Sequence, residues 1–148
     1  MSVQQLILIR GLPGSGKTTA ARKIAAFDPN NRVILEGDQY FEVQVPGFNQ
    51  HRYYFDATKL KQAHERCRYL TEECLAEGLT VIVSNTFTTM GEMTPYIHMS
   101  TDLDVPLMVI KCTGDYGSVH GVPAEVMERM AARWEDYDVE VSLEECHV

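Results

Sequence analysis

Four short apolar runs punctuate the chain, and stretches with helical spacing lie between them. Gln5-Leu6-Ile7-Leu8-Ile9-Arg10, Val33-Ile34-Leu35-Glu36, Leu79-Thr80-Val81-Ile82-Val83-Ser84 and Leu107-Met108-Val109-Ile110-Lys111-Cys112 have little polar interruption. Runs this short and continuous predict strands covered on both faces, as in a parallel sheet. Thr19 to Ala26 predicts a first helix. Lys59 to Glu77 predicts a second, opened at Asp56-Ala57-Thr58, with Leu60, Ala63, Cys67, Leu70 and Cys74 along one stripe. Gly78 is suited to end it. Thr88-Thr89-Met90-Gly91-Glu92 has the form of a cap for a third helix running through Tyr96 and Ile97 towards Ser100, with Pro95 confined to its first turn. Pro123 at a first turn opens a fourth helix, Ala124 to Asp136. Strands alternating with helices define an α/β domain with a parallel sheet of four strands. Val139-Glu140-Val141 in the acidic tail 137–148 is compatible with a fifth, at an edge. Tyr40 to Asn49, with Pro46-Gly47, reads as a loop. No internal repeat or linker divides residues 1–148, so a single domain is expected.

Composition adds bounds. The 148 residues, 45% of them hydrophobic, suffice for one well-packed core. No apolar run approaches the ~20 residues that span a bilayer. The first apolar run lacks a charged leader segment and contains the first strand, so a cytoplasmic protein with no membrane partner is expected. Cys67, Cys74, Cys112 and Cys146 lack C-x-x-C spacing, which favours reduced thiols over disulfides or zinc. The net charge of −8 weighs against avid, nonspecific binding to nucleic acid. The charge is uneven, however. Arg52, Lys59, Lys61, Arg66 and Arg68 lie close together with His51 and His64, whereas residues from 101 onward hold only Lys111, Arg129 and Arg133 as strong bases.

The chemistry concentrates behind the first strand. Gly11-Leu12-Pro13-Gly14-Ser15-Gly16-Lys17-Thr18 fits the phosphate-loop pattern G-x-x-x-x-G-K-(S/T) without mismatch, between a predicted strand and a predicted helix. Glycines there allow backbone angles closed to other residues and leave room for phosphate oxygens. The loop's N–H groups and the helix start converge on a phosphate chain. Gly11 through Thr18, with Thr19 behind them, form the candidate nucleotide site. Lys17 would meet the β- and γ-phosphates of a nucleoside triphosphate, and the Thr18 hydroxyl would ligate Mg²⁺.

Other residues are placed by the topology. Asp38 follows the second strand, and ligands gather at the carboxyl ends of strands in open α/β sheets. A carboxylate there would accept a proton from an attacking hydroxyl or hold a magnesium-bound water, unless it caps a turn or the next helix. Asn85, after the third strand, has three candidate roles: holding a magnesium-bound water, orienting an acceptor, or bonding the turn. Thr113 to Pro123 is glycine-rich and polar, in keeping with a lid over the phosphates or a plain surface loop. His120 reads as a loop residue. Arg129 and Arg133, four apart on one helix face, either face the γ-phosphate or pair with Glu125 and Asp136; the pairs are slightly favoured.

Gly11–Thr18, Gly37-Asp38-Gln39-Tyr40, Val81-Ile82-Val83-Ser84-Asn85-Thr86 and His120-Gly121-Val122-Pro123-Ala124-Glu125 together give residues 3–136 an outline. It resembles the small P-loop kinases typified by phage polynucleotide 5′-kinase, and the short kinase-like ATPases of tailed phages. The resemblance implies a three-layer P-loop kinase-like fold with a four- to five-stranded parallel sheet and helices on both faces. It implies transfer of the γ-phosphoryl of ATP to a nucleic acid 5′ end, nucleoside or nucleotide, with Asp38 as general base. The family's acceptor-gripping arginine is replaced by Phe41, its acid after the third strand by Asn85, and its lid arginine has no match in Gly117-Ser118-Val119-His120. These departures leave the acceptor open. They also keep a second reading in view: a nucleotide-dependent binding module with little kinase activity, acting on host proteins.

Overall fold

The computed structural model describes residues 3–37, 57–117 and 121–143 in full, and 42–44 and 51–53 by their backbone. Asp38, Phe41, Pro46-Gly47, Ser118 to His120 and Cys146 lie outside the described residues, as do the side chains of His51 and Arg52.

Strand β1 (Leu6–Arg10) runs into the glycine-rich loop, which delivers the chain to α1 (Lys17–Ala26) and then β2 (Arg32–Leu35). Strand β3 (Glu42–Gln44), within the expected loop Tyr40 to Asn49, pairs antiparallel with β4 (His51–Tyr53), just after it. A 3₁₀ turn at Ala57–Lys59 leads to α2 (Leu60–Ala76), and β5 (Thr80–Ser84), α3 (Met90–Asp102), β6 (Leu107–Cys112), α4 (Ala124–Ala132) and β7 (Val141–Leu143) complete the order. The main sheet has five parallel strands in the order β2-β5-β1-β6-β7. β1 is central, with Leu8 opposite Val83 on one side and Val109 on the other.

Alternation along the strands divides the core into two layers. Leu6, Leu8, Val81, Val83 and Val109 face α2 and α3, where they meet Cys67, Leu75, Met93 and Tyr96. Ile7, Ile9, Ile82 and Ile110 face the other way, against Ala20 and Ala21 of α1. A strand that must be apolar on both faces shows no alternation in hydropathy, which is why β1 and β5 are continuous runs. Helices therefore cover both faces of the sheet, as the α/β reading required.

Several local expectations shift. The buried stripe of α2 is Ala63, Cys67, Thr71 and Leu75, with Leu70 and Cys74 half-buried; Leu60 is exposed. Thr71 fits the core because its hydroxyl donates to the Cys67 carbonyl at 2.7 Å. Pro95 is the sixth residue of α3, beyond the first turn, and buried Met93 and Tyr96 anchor the helix on either side of it. α4 ends at Ala132, not Asp136, because the next residues bind elsewhere: the Glu135 N–H donates to the Thr88 carbonyl at 2.8 Å. The edge strand pairs through Val141–Leu143, two residues later than the tail pattern suggested. Cys67, Cys74 and Cys112 are free thiols. No helix among the described residues is long and apolar enough to cross a membrane.

Candidate active site

The glycine-rich loop is built so tightly that side chains cannot replace its glycines. A Cβ on Gly11 would run into the Ser15 hydroxyl and stand 2.7 Å from the Cys112 carbonyl oxygen. Gly14 and Gly16 both take left-handed angles, φ 80° and 98°, which cost other residues about 1–2 kcal/mol each. A Cβ on Gly14 would also strike Gly117, whose carbonyl carbon it would approach to 2.6 Å. The Ser15 N–H closes the turn onto the Leu12 carbonyl at 3.1 Å, across Pro13. Lys17 reaches back through the curve, its Nζ donating to the carbonyls of Gly11 and Leu12 at 3.0 Å each. Thr18 is exposed at the start of α1 and Thr19 half-buried behind it; the first turn holds no acidic residue. Ser15 Oγ is buried with no hydrogen-bond partner among the described residues. An ammonium, an unpaired buried hydroxyl and a helix start without counter-charge fit a polyphosphate.

The segment after β6 lies on this loop. The Tyr116 N–H donates to the Gly14 carbonyl at 2.8 Å, and a Cβ on Gly114 would come within 2.9 Å of the Ser15 carbonyl oxygen.

A second compartment opens beyond the end of β5. It is a cleft of about 370 Å³, lined by Lys61, His64 and Arg68 from α2, by Asn85, Thr86 and Phe87 after β5, and by the start of α3 with Tyr96. It shares a wall with the loop. Thr86 lines the cleft while its carbonyl accepts the Gly11 N–H at 3.2 Å. Asn85 Oδ1 accepts the Gly37 N–H at 2.7 Å, fixing the end of β2 one residue before Asp38. Beneath it, burial pushes the Cys67 thiol up from its ordinary value, and the Asn85 amide donates to its sulfur at 4.0 Å. Burial, and then the neighbouring Cys67, raise the Tyr96 phenol.

Arg129 and Arg133 do not form the favoured pairs. Asp136 is bound by Lys111 at 2.9 Å, because the chain has left the helix by then. Arg133 Nε donates instead to the Thr88 hydroxyl at 3.0 Å, and Arg129 is exposed without an ion pair among the described residues. Arg10 was legible only as the end of a strand, yet it is fully buried directly before the loop. It donates to the Phe87 carbonyl at 2.6 and 3.0 Å and to the Glu135 carbonyl at 2.7 Å, pairs with Glu140 at 2.9 Å, and lies 4.1 Å from the centre of the Trp134 ring. A charged residue in an otherwise apolar strand was its one sequence signal.

Comparison with known proteins places this geometry. The family model AAA_33, described as an AAA domain, matches residues 6–148. The chain belongs to that family. Human NEDD4-binding protein 2 is 36% identical over 96 residues, 64% of this chain; the matched region is only 5% of that protein's length. Among solved structures, Chaetomium thermophilum Kti12 in complex with ADP-AlF3 superposes with a TM-score of 0.68 at 15% identity, covering 93% of this chain and 88% of that one. The Mycobacterium tuberculosis APS kinase CysC, in complex with AMPPNP and APS, superposes with a TM-score of 0.56 at 17% identity, covering 87% and 69%. This AAA_33 chain thus has the P-loop kinase-like fold, shared with proteins solved with nucleotides bound.

Proposed function

We propose that this protein is a cytoplasmic, ATP-dependent kinase of phage type that phosphorylates a hydroxyl of a nucleic acid 5′ end, a nucleoside or a nucleotide. One observation carries the reading: a phosphate-binding loop and a separate polar cleft meet at one wall, Thr86, at the carboxyl end of the sheet. Two adjoining compartments suit a donor and an acceptor better than they suit hydrolysis alone.

Gly11 to Thr19 would hold the triphosphate, and Thr18 its Mg²⁺. The metal supplies charge neutralisation at the phosphoryl oxygens. Lys17 would leave the Gly11 and Leu12 carbonyls to meet the β- and γ-phosphates. Asp38 would take the proton of the acceptor hydroxyl as that oxygen bonds to the γ-phosphorus. The bond from that phosphorus to the β–γ bridging oxygen breaks, and ADP leaves. Arg129 and Arg133 remain candidates for the γ-phosphate, although Arg133 donates to the Thr88 hydroxyl.

The test is transfer of labelled γ-phosphate to an added oligonucleotide, nucleoside or nucleotide. Lys17→Ala should abolish it and weaken nucleotide binding. Asp38→Asn should spare binding and slow transfer by roughly 10²-fold or more. Full transfer by Asp38→Asn would remove that residue from the mechanism.

A second reading draws on Asn85. Its oxygen is engaged by the Gly37 N–H, and it stands where the kinases that this chain resembles carry an acid. A nucleotide-dependent module that binds a host protein would need no such acid. Tight ATP binding with no labelled acceptor, and partner capture only when ATP is present, would favour it.

A further inference from the structure

We infer that Arg10 is a positioning residue for the nucleotide loop: its guanidinium holds Phe87 in a left-handed turn that fixes Gly11, and the segment 134–140 holds the guanidinium. The inference deepens the nucleotide-holding part of the proposed function and rests on it.

Residues 10–11 and 86–87 are tied twice. The Gly11 N–H donates to the Thr86 carbonyl at 3.2 Å. The Arg10 side chain donates to the next carbonyl, that of Phe87, at 2.6 and 3.0 Å. Both ties lie beyond β5, where the sheet has ended. The turn between them is strained. Phe87 has φ 44°, a left-handed angle that glycine favours and other residues avoid. Such a residue persists only when its surroundings over-determine it. Here the Phe87 ring is buried and meets the Tyr96 ring edge-on, with centres 5.5 Å apart. Its carbonyl is fixed by two N–H groups of one guanidinium. Relaxing the angle would swing that carbonyl and disturb its neighbour at Thr86, which receives Gly11. Gly11 has no room to follow, since a Cβ there would already stand 2.7 Å from the Cys112 carbonyl oxygen.

The tail supplies the rest of the grip. Arg10 also donates to the Glu135 carbonyl at 2.7 Å and to the Glu140 carboxylate at 2.9 Å, and it lies 4.1 Å from the centre of the Trp134 ring. Lys111, paired in register with Arg10, lies 5.2 Å from the same ring and binds Asp136. A buried ion pair is often no more stabilising than apolar residues of equal volume. Packing alone therefore gives no reason for a charge at this depth; the directed bonds do. An ammonium cannot reproduce them, because only the planar fork serves several acceptors while stacking on a ring.

The experiment measures AMPPNP affinity by calorimetry, at a temperature where circular dichroism shows each variant folded. Arg10→Lys keeps the charge and loses the fork. The binding-competent loop is then only partly populated, so affinity should fall by about tenfold or more. Val105→Ala, in the core at the opposite end of the sheet, should lower the melting temperature and leave affinity unchanged. Hydrogen exchange gives the second readout. If opening of 134–140 releases Arg10, saturating AMPPNP must suppress that opening by linkage. Exchange over 134–140 should slow, and exchange in the turn 101–104 should not. Should Arg10→Lys fail to fold, Glu140→Gln, which keeps an acceptor without its charge, should weaken AMPPNP in the same direction by a smaller factor. Wild-type affinity in folded Arg10→Lys, or in Glu140→Gln where that variant stands in for it, overturns the inference. So does an equal loss of affinity in Val105→Ala, or exchange over 134–140 that ignores AMPPNP. Failure of the wild type itself to bind AMPPNP removes the nucleotide reading, and this inference with it.

Discussion

Arg10 and Glu140 meet at 2.9 Å, 130 residues apart in the chain, with side-chain exposures of 0% and 8%. The pair fastens the tail to the strand that enters the glycine-rich loop. Arg10 also holds the carbonyls of Phe87 and Glu135, so its loss strands several groups at once. Breaking a buried pair from one side costs about 3–5 kcal/mol. Arg10→Ala should therefore destabilise by about that much in urea unfolding. Glu140→Ala should cost less, since Arg10 keeps its three bonds to carbonyl oxygens and its place over Trp134. Equal effects, or a negligible one for Arg10→Ala, would show that the tail is fastened by other contacts.

Gly14→Ala tests the loop. The new methyl group meets both a left-handed φ of 80° and the Gly117 carbonyl. Strain of about 1–2 kcal/mol is expected from the angle alone, and the 113–117 segment must move away. Nucleotide affinity should fall by about tenfold or more, with a lower melting temperature. Gly78→Ala is the comparison: it has φ 88° but open space around it. That variant should lose stability by a similar angular cost and keep its nucleotide affinity.

Asn85→Ala and Asn85→Asp separate structure from chemistry. Alanine leaves the N–H of buried Gly37 without its acceptor, at a cost of about 1–3 kcal/mol. Aspartate keeps an acceptor in place and restores the acid found in the kinases that the sequence resembles. Melting temperatures should rank wild type and Asn85→Asp above Asn85→Ala. If an acid at this position serves the acceptor, Asn85→Asp should also transfer phosphate faster than wild type. A slower rate would mean that the amide itself suits this protein's acceptor.

The sequence and the structure part company in an instructive way. β1, β5 and β6 were legible within a residue, because strands covered on both faces need unbroken apolar runs. The loop was legible because its glycine spacing is itself the motif, although part of what crowds Gly11 and Gly14, at Cys112 and Gly117, comes from a distant segment. Arg10 was not, because its partners Phe87, Glu135 and Glu140 come from distant segments and no local spacing announces them. The same contacts explain the early end of α4: Trp134 and Glu135 turn towards Arg10 and Thr88 instead of continuing the helix. Asn85 was ambiguous for the same reason, since only the folded sheet brings β2 beside β5 and Gly37 within its reach.

The buried thiol and phenol set the alkaline limit of stability. Cys67 and Tyr96 are both raised, chiefly by burial, from ordinary values of 9.0 and 10.0. In the unfolded chain they ionise near those values, while the folded protein holds both protons to higher pH. The folded state then binds more protons, so stability falls as pH rises. It is unaffected by these groups below about pH 9, declines from there through Cys67, and declines more steeply above about pH 10 as Tyr96 joins. Each fully displaced group contributes about 1.4 kcal/mol per pH unit. Cys74, half-buried and raised by burial and then by Glu77 and Glu73, adds in the same direction, weakened by solvent. Urea unfolding between pH 8 and 10.5 should show this bend. Cys67→Ala should flatten it between pH 9 and 10, and Tyr96→Phe should flatten it above pH 10, whatever either substitution does to stability at pH 8. A wild-type curve that stays level up to pH 10.5 would mean that water reaches this face of the core.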